Sequence, residues 1–354
     1  MSIESGFPTA SPVGSERILV IFPGALGDFL CFLPALERLA AGRDADLFAH
    51  SEYAEILPSR IRTRSLESRE ISRLFTTGAG RDAELREFFL PYAHVYSWMA
   101  SGQPAFVANL SSLTNGRLKS FPFRPREWRQ HMTEYYLSCL GESPLPQPLA
   151  RIVLRGDALE WSVRFWRMHD LADGRVLALG PGSGSKAKNW PAEFFSAVAR
   201  WWKESIRGQV LTFLGPAETA RSEAESLCRS SLVVRNESLG KVAALLSRCD
   251  LYLGNDSGLT HLAAAVGIPA AALFGPSDPV QWAPRGRRVI VARQHVACSP
   301  CSDHDRKVCA HRMCLTDLGP DKVIATLEGL LRADSPTGLA SLTRRGSEFN
   351  LFCK

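Results

Sequence analysis

The chain has 354 residues, 45% of them hydrophobic and 22% charged, and Lys and Arg outnumber Asp and Glu to give a net charge of +6. That balance belongs to a globular protein with room for two domains, each burying its own core. No run of about eighteen apolar residues is present, which argues against a hydrophobic span, and the scattered arginines suit an anionic substrate or leaflet better than nucleic acid.

Residues 1–16 have neither a basic n-region nor an apolar h-region, so a tail is expected rather than a signal peptide, and a cytoplasmic protein with it. RILVIF (17–22), rich in Ile and Val and closed by Pro-Gly, predicts a buried parallel strand. A helix follows from about Asp28 to Ala41, with Leu30, Leu33, Leu36 and Leu39 at helical spacing; Pro34 predicts a kink or a late start. ADLFAH (45–50) is a second strand, and strand-like and helical pieces alternate to about residue 140. GESPLPQPLA (141–150), with three prolines, reads as a linker. Beyond it, RVLALG (175–180), QVLTFLG (209–215), SLVVR (231–235), DLYLG (250–254), PAAALFG (269–275) and RRVIVA (287–292) predict strands with helical patterns between most of them. Such alternation gives parallel sheets with right-handed crossovers. The linker divides the chain into an N-terminal unit, 17–150, and a C-terminal unit, 151–335, with a second tail over 336–354. Open α/β sheets bind ligands at the carboxyl ends of their strands, so the loops after strands carry the functional information.

Three such loops stand out. PGALGD (23–28) contains Gly24 and Gly27, which permit a tight turn and a close approach to the backbone, and sets Asp28 at a helix start, where it can serve as the N-cap. LGPGSGSKAKNWP (179–191) lacks the second glycine and the hydroxyl of a G-x-x-x-x-G-K-[ST] phosphate loop. It still offers donors in Ser183 and Ser185 and charge in Lys186 and Lys188, ahead of a helix begun by Pro191; the alternative is an ordinary lysine-bearing surface loop. GNDSGLTHLAAAVGIPAAALFGPSDPVQW (254–282) puts Asp256, Ser257 and Gly258 before a helix. Ser257 or Asp256 can cap it and leave the amides of Gly258 and Leu259 for an anion. His261 can donate to a phosphate oxygen or be a satisfied core histidine, and Asp278 reads as a helix cap. Neither half has the G-x-G-x-x-G turn followed by an acid, which argues against a nicotinamide dehydrogenase.

The order PGALGD, S-x-x-x-x-K-x-W-P and GNDSGLTHLAAA-x-G-x-P-x-x-x-LFGP-x-D-P, spread over residues 17–330, resembles the ADP-heptose:lipopolysaccharide heptosyltransferase family. The resemblance implies an α/β GT-B fold: two Rossmann-like domains with parallel sheets facing across a cleft, acceptor on the N-terminal side and nucleotide sugar on the C-terminal side. It implies transfer of heptose from ADP-heptose, or a related nucleotide sugar, to a lipopolysaccharide inner-core acceptor, with peripheral contact to the cytoplasmic face of the inner membrane. Asp28 matches the family's proposed catalytic base and Lys188 the lysine that contacts the diphosphate. Asp256, Ser257, Gly258 and Leu259 match the segment that binds the sugar diphosphate, and Glu218 is similar to an acid near the nucleoside. The D-x-D pattern DHD (303–305) does not follow a sheet strand. An inverting, metal-independent displacement needing no cofactor is therefore expected, with Lys188 and a helix N-terminus answering the leaving-group charge. Many members carry a basic residue and serines before LGD, where this chain has Phe22-Pro23-Gly24-Ala25. That departure keeps a rival alive, the same chemistry with another nucleotide sugar or a protein acceptor. From a different class, a nucleotide-sugar-binding scaffold without turnover is the alternative.

Of the nine cysteines, Cys31, Cys139, Cys228 and Cys249 sit among apolar residues and read as core thiols. Cys298, Cys301, Cys309 and Cys314 fall within seventeen residues, with His304 and His311 between them. A C-x-x-C joined to a second pair is the spacing of a tetrahedral site for a structural zinc or iron; the alternative is reduced thiols packed in a loop.

Overall fold

A computed structural model describes residues 17–125, 127, 129–141, 148–215 and 229–332. The first half is built on a parallel sheet of β1 (Ile18–Ile21), β2 (Ala45–Ala49), β3 (Ile61–Ser65), β4 (His94–Ser97) and β5 (Leu118–Ser120), in the order β3-β2-β1-β4-β5. The ILVI run of β1 is buried at every residue because this central strand is covered on both faces. Helix α1 (Leu26–Leu39) starts two residues before Asp28 and runs unbroken through Pro34. A proline in a helix interior costs about 3 kcal/mol. Here the burial of Phe29, Leu30, Phe32, Leu33 and Leu36 outweighs it. Helices α2 (Arg69–Arg73), α3 (Ala83–Phe89), α4 (Pro104–Leu113), α5 (Met132–Ser138) and α6 (Gly156–Met168) complete the region before the second sheet.

That sheet contains β6 (Val176–Gly180), β7 (Gln209–Leu214), β8 (Leu232–Arg235), β9 (Leu251–Asn255), β10 (Ala270–Phe274) and β11 (Val289–Arg293), in the order β11-β10-β9-β6-β7-β8 and parallel throughout. All six strands expected after the linker are present. Its described helices are α7 (Ala192–Trp201), α8 (Leu239–Leu246), α9 (Gly258–Val266), α10 (Pro279–Trp282), α11 (Asp303–Val308), α12 (Met313–Thr316) and α13 (Pro320–Arg332). Counted from its own first strand, the second sheet repeats the winding of the first, and in each the order reverses beside the opening strand. The crevice beyond the carboxyl ends at such a reversal is where these sheets bind ligands.

One apolar cluster lines a face of each sheet, around Phe48 and Phe106 in the first and Trp190 and Trp202 in the second. A third is continuous between the halves, joining Phe32 and Tyr136 to Trp166 and Tyr252. Polar clips reinforce that seam: Gly240 N donates to Glu55 Oε2 at 2.8 Å, and Arg285 pairs with Glu134 at 2.5 Å. Most of the expected linker lies outside the described residues. Among the described residues no helix is long and apolar enough to cross a membrane.

Candidate active site

The turn after β1 delivers Asp28. Ala25, not Asp28, is the N-cap of α1; the aspartate sits in the first turn, where the helix N-terminus favours negative charge. Its side chain is about 8% exposed, and Arg124 Nη2 straddles both carboxylate oxygens at 2.8 and 2.9 Å. Arg124 is held between rings from both halves, with Phe123 and Trp282 each 5.1 Å from its guanidinium carbon. Each carboxylate oxygen still has a lone pair for a further donor. Sequence reasoning missed this partner, although the mixed arginine–aromatic segment 117–130 was the available signal.

The two glycines before Asp28 have different tasks. A Cβ on Gly24 would lie 2.4 Å from the Phe22 ring and 2.8 Å from Asp28 Cβ, so only glycine fits the turn. Its carbonyl accepts from Tyr53 Oη at 3.0 Å. Gly27 faces the start of α9: a Cβ on Gly258 would come within 2.8 Å of Leu26 Cβ and 3.1 Å of Gly27 N. The expected close approach therefore takes place between the two halves. It brings the N-termini of α1 and α9 together.

On the C-terminal side, the loops after β6 and β9 are tied by the buried Asn255. Its Oδ1 accepts from Trp190 N at 3.0 Å and its Nδ2 donates to Pro181 O at 2.6 Å. Ser183 Oγ is spent inside its own loop, 2.7 Å from Ser185 O and 2.6 Å from Asn189 Oδ1. Ser185 supplies the N–H that reaches Ser183 Oγ at 3.3 Å. Lys186 is exposed, and its contribution is a carbonyl that accepts from Arg312. Lys188 is turned inward, its Nζ 2.7 Å from Asp256 Oδ2, an ion pair whose alignment is not that of a hydrogen bond. Ser257 is the N-cap of α9 but gives no side-chain cap, and Asp256 gives none either. Among the described residues the amides of Gly258 and Leu259 have no acceptor, which leaves them to an anion as expected.

His261 lies where the halves meet, its Nδ1 3.8 Å from Cys31 Sγ. Burial lowers its pKa; Asp256 and Asp28 pull the other way, and Lys188 lowers it further. The neutral ring bridges Cys31 and the Trp282 backbone, which favours the packed-histidine reading. Asp278 caps α10, accepting from Val280 N at 2.9 Å, as expected. Glu218 lies outside the described residues, as does Cys228.

A cavity of about 650 Å³ opens beside these loops, lined by Ser183, Phe213, Asn236, Glu237, Ser257 and Leu259 among others. Asn236, at a positive φ of 53°, and Glu237 were not anticipated; the turn after SLVVR was the signal. Lys188 and Asp256 do not line this cavity; both act on His261, as Asp28 does.

Cys298, Cys301, Cys309 and Cys314 do meet, around one small hollow with His311. Cys301 Sγ is 3.0 Å from Cys298 O, toward which it donates, and Cys309 Sγ is 3.8 Å from His311 Nδ1. Burial first, then neighbouring thiols, raises the Cys301 pKa and pushes Cys314 up to about 11. Among the described residues no three His, Cys, Asp or Glu side chains are placed to hold a metal ion, so the four thiols share one loop without the arrangement of a tetrahedral site. Cys31 and Cys249 are buried core thiols as expected, whereas Cys139 is only half-buried.

Two doubly wound halves, with a nucleotide-sized cavity beside one switch point and a carboxylate at the other, define the GT-B class. Residues 142–311 match the family model described as Glycosyltransferase family 9 (heptosyltransferase). The fold is that of the glycosyl transferase family 9 protein of Veillonella parvula (TM-score 0.72, 20% identity, 92% of this chain and 100% of that one). It is equally that of Escherichia coli ADP-heptose lps heptosyltransferase II (TM-score 0.68, 19% identity, 90% and 99%). Lipooligosaccharide heptosyltransferase 2 of Campylobacter jejuni is 31% identical over 192 residues, 49% of this chain and 57% of that protein. The chain thus spans little more than half the length of this curated relative.

Proposed function

We propose that the protein transfers a heptose from ADP-heptose to a lipopolysaccharide inner-core acceptor by a single inverting displacement. The observation that carries this reading is the meeting of α1 and α9. The first turn of α1, which carries Asp28, lies beside the start of α9, which carries the open amides of Gly258 and Leu259 and follows Asp256, the partner of Lys188. The acceptor hydroxyl forms its bond to the anomeric carbon as the bond to the diphosphate oxygen breaks, and Asp28 receives the hydroxyl proton. Lys188, leaving Asp256, and the α9 amides take up the negative charge that grows on ADP, so the step needs no metal. The nucleoside occupies the 650 Å³ cavity, with Asn236 and Glu237 as polar contacts. The ADP-heptose donor of the E. coli neighbour and the family match support this choice of sugar.

The test is ADP release from ADP-heptose, with and without a heptose-free lipopolysaccharide core, in the presence of EDTA, for wild type and Asp28→Asn. Acceptor-dependent release that drops about 100- to 10,000-fold in the variant, with ADP-heptose still bound, is expected for loss of a positioned base. Donor binding without release would redirect the search to a protein acceptor or to a scaffold. Absence of donor binding would refute the proposal.

A further inference from the structure

A second hollow, of about 170 Å³, lies on the N-terminal half, lined by Arg38, Arg43, Tyr96, Lys119, Leu39 and Leu140. Arg38 is ten residues along α1 from Asp28, about 15 Å at 1.5 Å per residue, so the hollow is separate from the cleft. Its polar lining consists of donors: two guanidiniums, an ammonium and a phenol. Among the described residues no carboxylate lines it, and none of the three cations has an ion pair. Tyr96 is 7% exposed, yet its hydroxyl has no hydrogen-bond partner among the described residues. Lys119 Nζ sits 5.6 Å over the same ring, and Arg43 is close enough to act on the phenol's titration. A mostly buried ring whose hydroxyl has no protein partner lines the hollow with three cations that have no ion pair, two of them exposed, and the set offers donors without an acceptor. Three like charges around one concavity repel each other until an anion enters. The fork of an arginine matches the oxygens of a tetrahedral oxyanion.

We propose that this hollow binds a phosphate group, carried on a lipid headgroup or free in solution, independently of the sugar-transfer cleft. Arg38, Arg43 and Lys119 neutralise the phosphate, and the Tyr96 hydroxyl donates to one of its oxygens.

The experiment compares the full chain with the triple variant Arg38→Gln, Arg43→Gln and Lys119→Gln. A control, Arg164→Gln, Arg200→Gln and Lys203→Gln, removes three exposed cations from elsewhere. Thermal unfolding confirms that both variants fold. Binding is read by co-sedimentation with vesicles of phosphatidylcholine containing one quarter phosphatidylglycerol, and by calorimetric titration with inorganic phosphate. Three basic contacts at an anionic leaflet predict roughly 100-fold weaker vesicle binding in the triple variant, with the control within about fivefold of wild type. Tyr96→Phe should weaken the same binding severalfold without changing net charge. Loss of phosphate binding with vesicle binding unchanged supports the site with a free anion as its ligand. If the triple variant and the control behave alike with both probes, the hollow is not an anion site and the proposal falls.

Discussion

Gly258→Ala tests whether the contact between the helix starts builds the site. The added Cβ would lie 2.8 Å from Leu26 Cβ and 3.1 Å from Gly27 N, where ordinary contact begins near 3.4 Å. The start of α1 would therefore have to retreat by about 0.6 Å, the difference between 3.4 and 2.8. Part of the obstacle is backbone, so no rotamer change removes it; overpacking of this kind costs about 1–3 kcal/mol. Alanine keeps the residue 258 N–H, so the donors for a diphosphate remain. What shifts is Asp28, two residues from Leu26, relative to the donor half. Displacement on the ångström scale at a reacting centre costs up to about 100-fold in rate. The expected result is kcat for ADP release down roughly 30- to 100-fold, with the Kd for ADP changed less than about threefold. Gly27→Ala is the internal comparison: its Cβ would meet nothing closer than His261 Cδ2 at 3.4 Å, and kcat should stay within about fivefold of wild type. Near-normal kcat in Gly258→Ala, or a larger defect in Gly27→Ala, would refute the claim that this contact sets the geometry.

Lys188→Ala removes the ammonium from the buried Asp256 and leaves an uncompensated carboxylate beside the expected diphosphate. Donor affinity should fall at least tenfold, and Asp256→Asn in the same chain should recover part of the loss of thermal stability but not the rate. His131 uses both ring nitrogens in one neutral tautomer, Nε2–H to Ala283 O at 2.8 Å and Nδ1 accepting from Thr133 N at 3.2 Å. Burial, then Arg285, lowers its pKa to about 4. A pKa depressed on folding gives stability that is present above about 6.5 and lost as pH falls toward 4. Urea unfolding between pH 7 and 4 should therefore show a decline of order 3 kcal/mol from this group, flattened in His131→Asn. At pH 7.5 Cys314, with its thiol pushed up to about 11 from 9.0, should react with iodoacetamide roughly 100-fold more slowly in the folded protein than in the urea-unfolded chain. Equal protection of all four cysteines, released together by a chelator, would instead restore the metal reading.

The second sheet was legible strand by strand because its strands are short apolar runs between Gly-rich loops, buried on both faces as in LYLGN of β9. The first half resisted between 51 and 130. β3, IRTRS, buries only its first residue, and β5 is three half-exposed or exposed residues, so neither carries an apolar signature. Asp28, Lys188 and the open amides of α9 could be placed from loop position alone, since each follows a strand. Arg124 and Trp282 could not. They are 158 positions apart and meet only because the halves close on each other. For the cysteines the spacing gave proximity but not orientation: the four thiols share one loop, and Cys301 faces a backbone carbonyl.

On the proposed reading, both ionised groups that serve the reaction are paired before any substrate arrives, Asp28 with Arg124 and Lys188 with Asp256. Burying them unpaired would cost several kcal/mol each. Substrate binding then becomes an exchange of partners. A diphosphate that draws Lys188 away gains a charge-assisted contact and loses the one to Asp256, so the net contribution to donor affinity is the difference between two similar terms. The charge that develops on the leaving diphosphate in the transition state has no such competitor, and there the full interaction with Lys188 is expressed. The same logic applies across the cleft. Asp28 can keep Arg124 while a free lone pair takes the acceptor hydroxyl, so the guanidinium orients the base without having to leave. Because Trp282 of the donor half stacks on that guanidinium, opening of the halves would slacken the base and separate it from the α9 amides in one movement. The closed seam is thus as much a part of the chemistry as the charges it brings together.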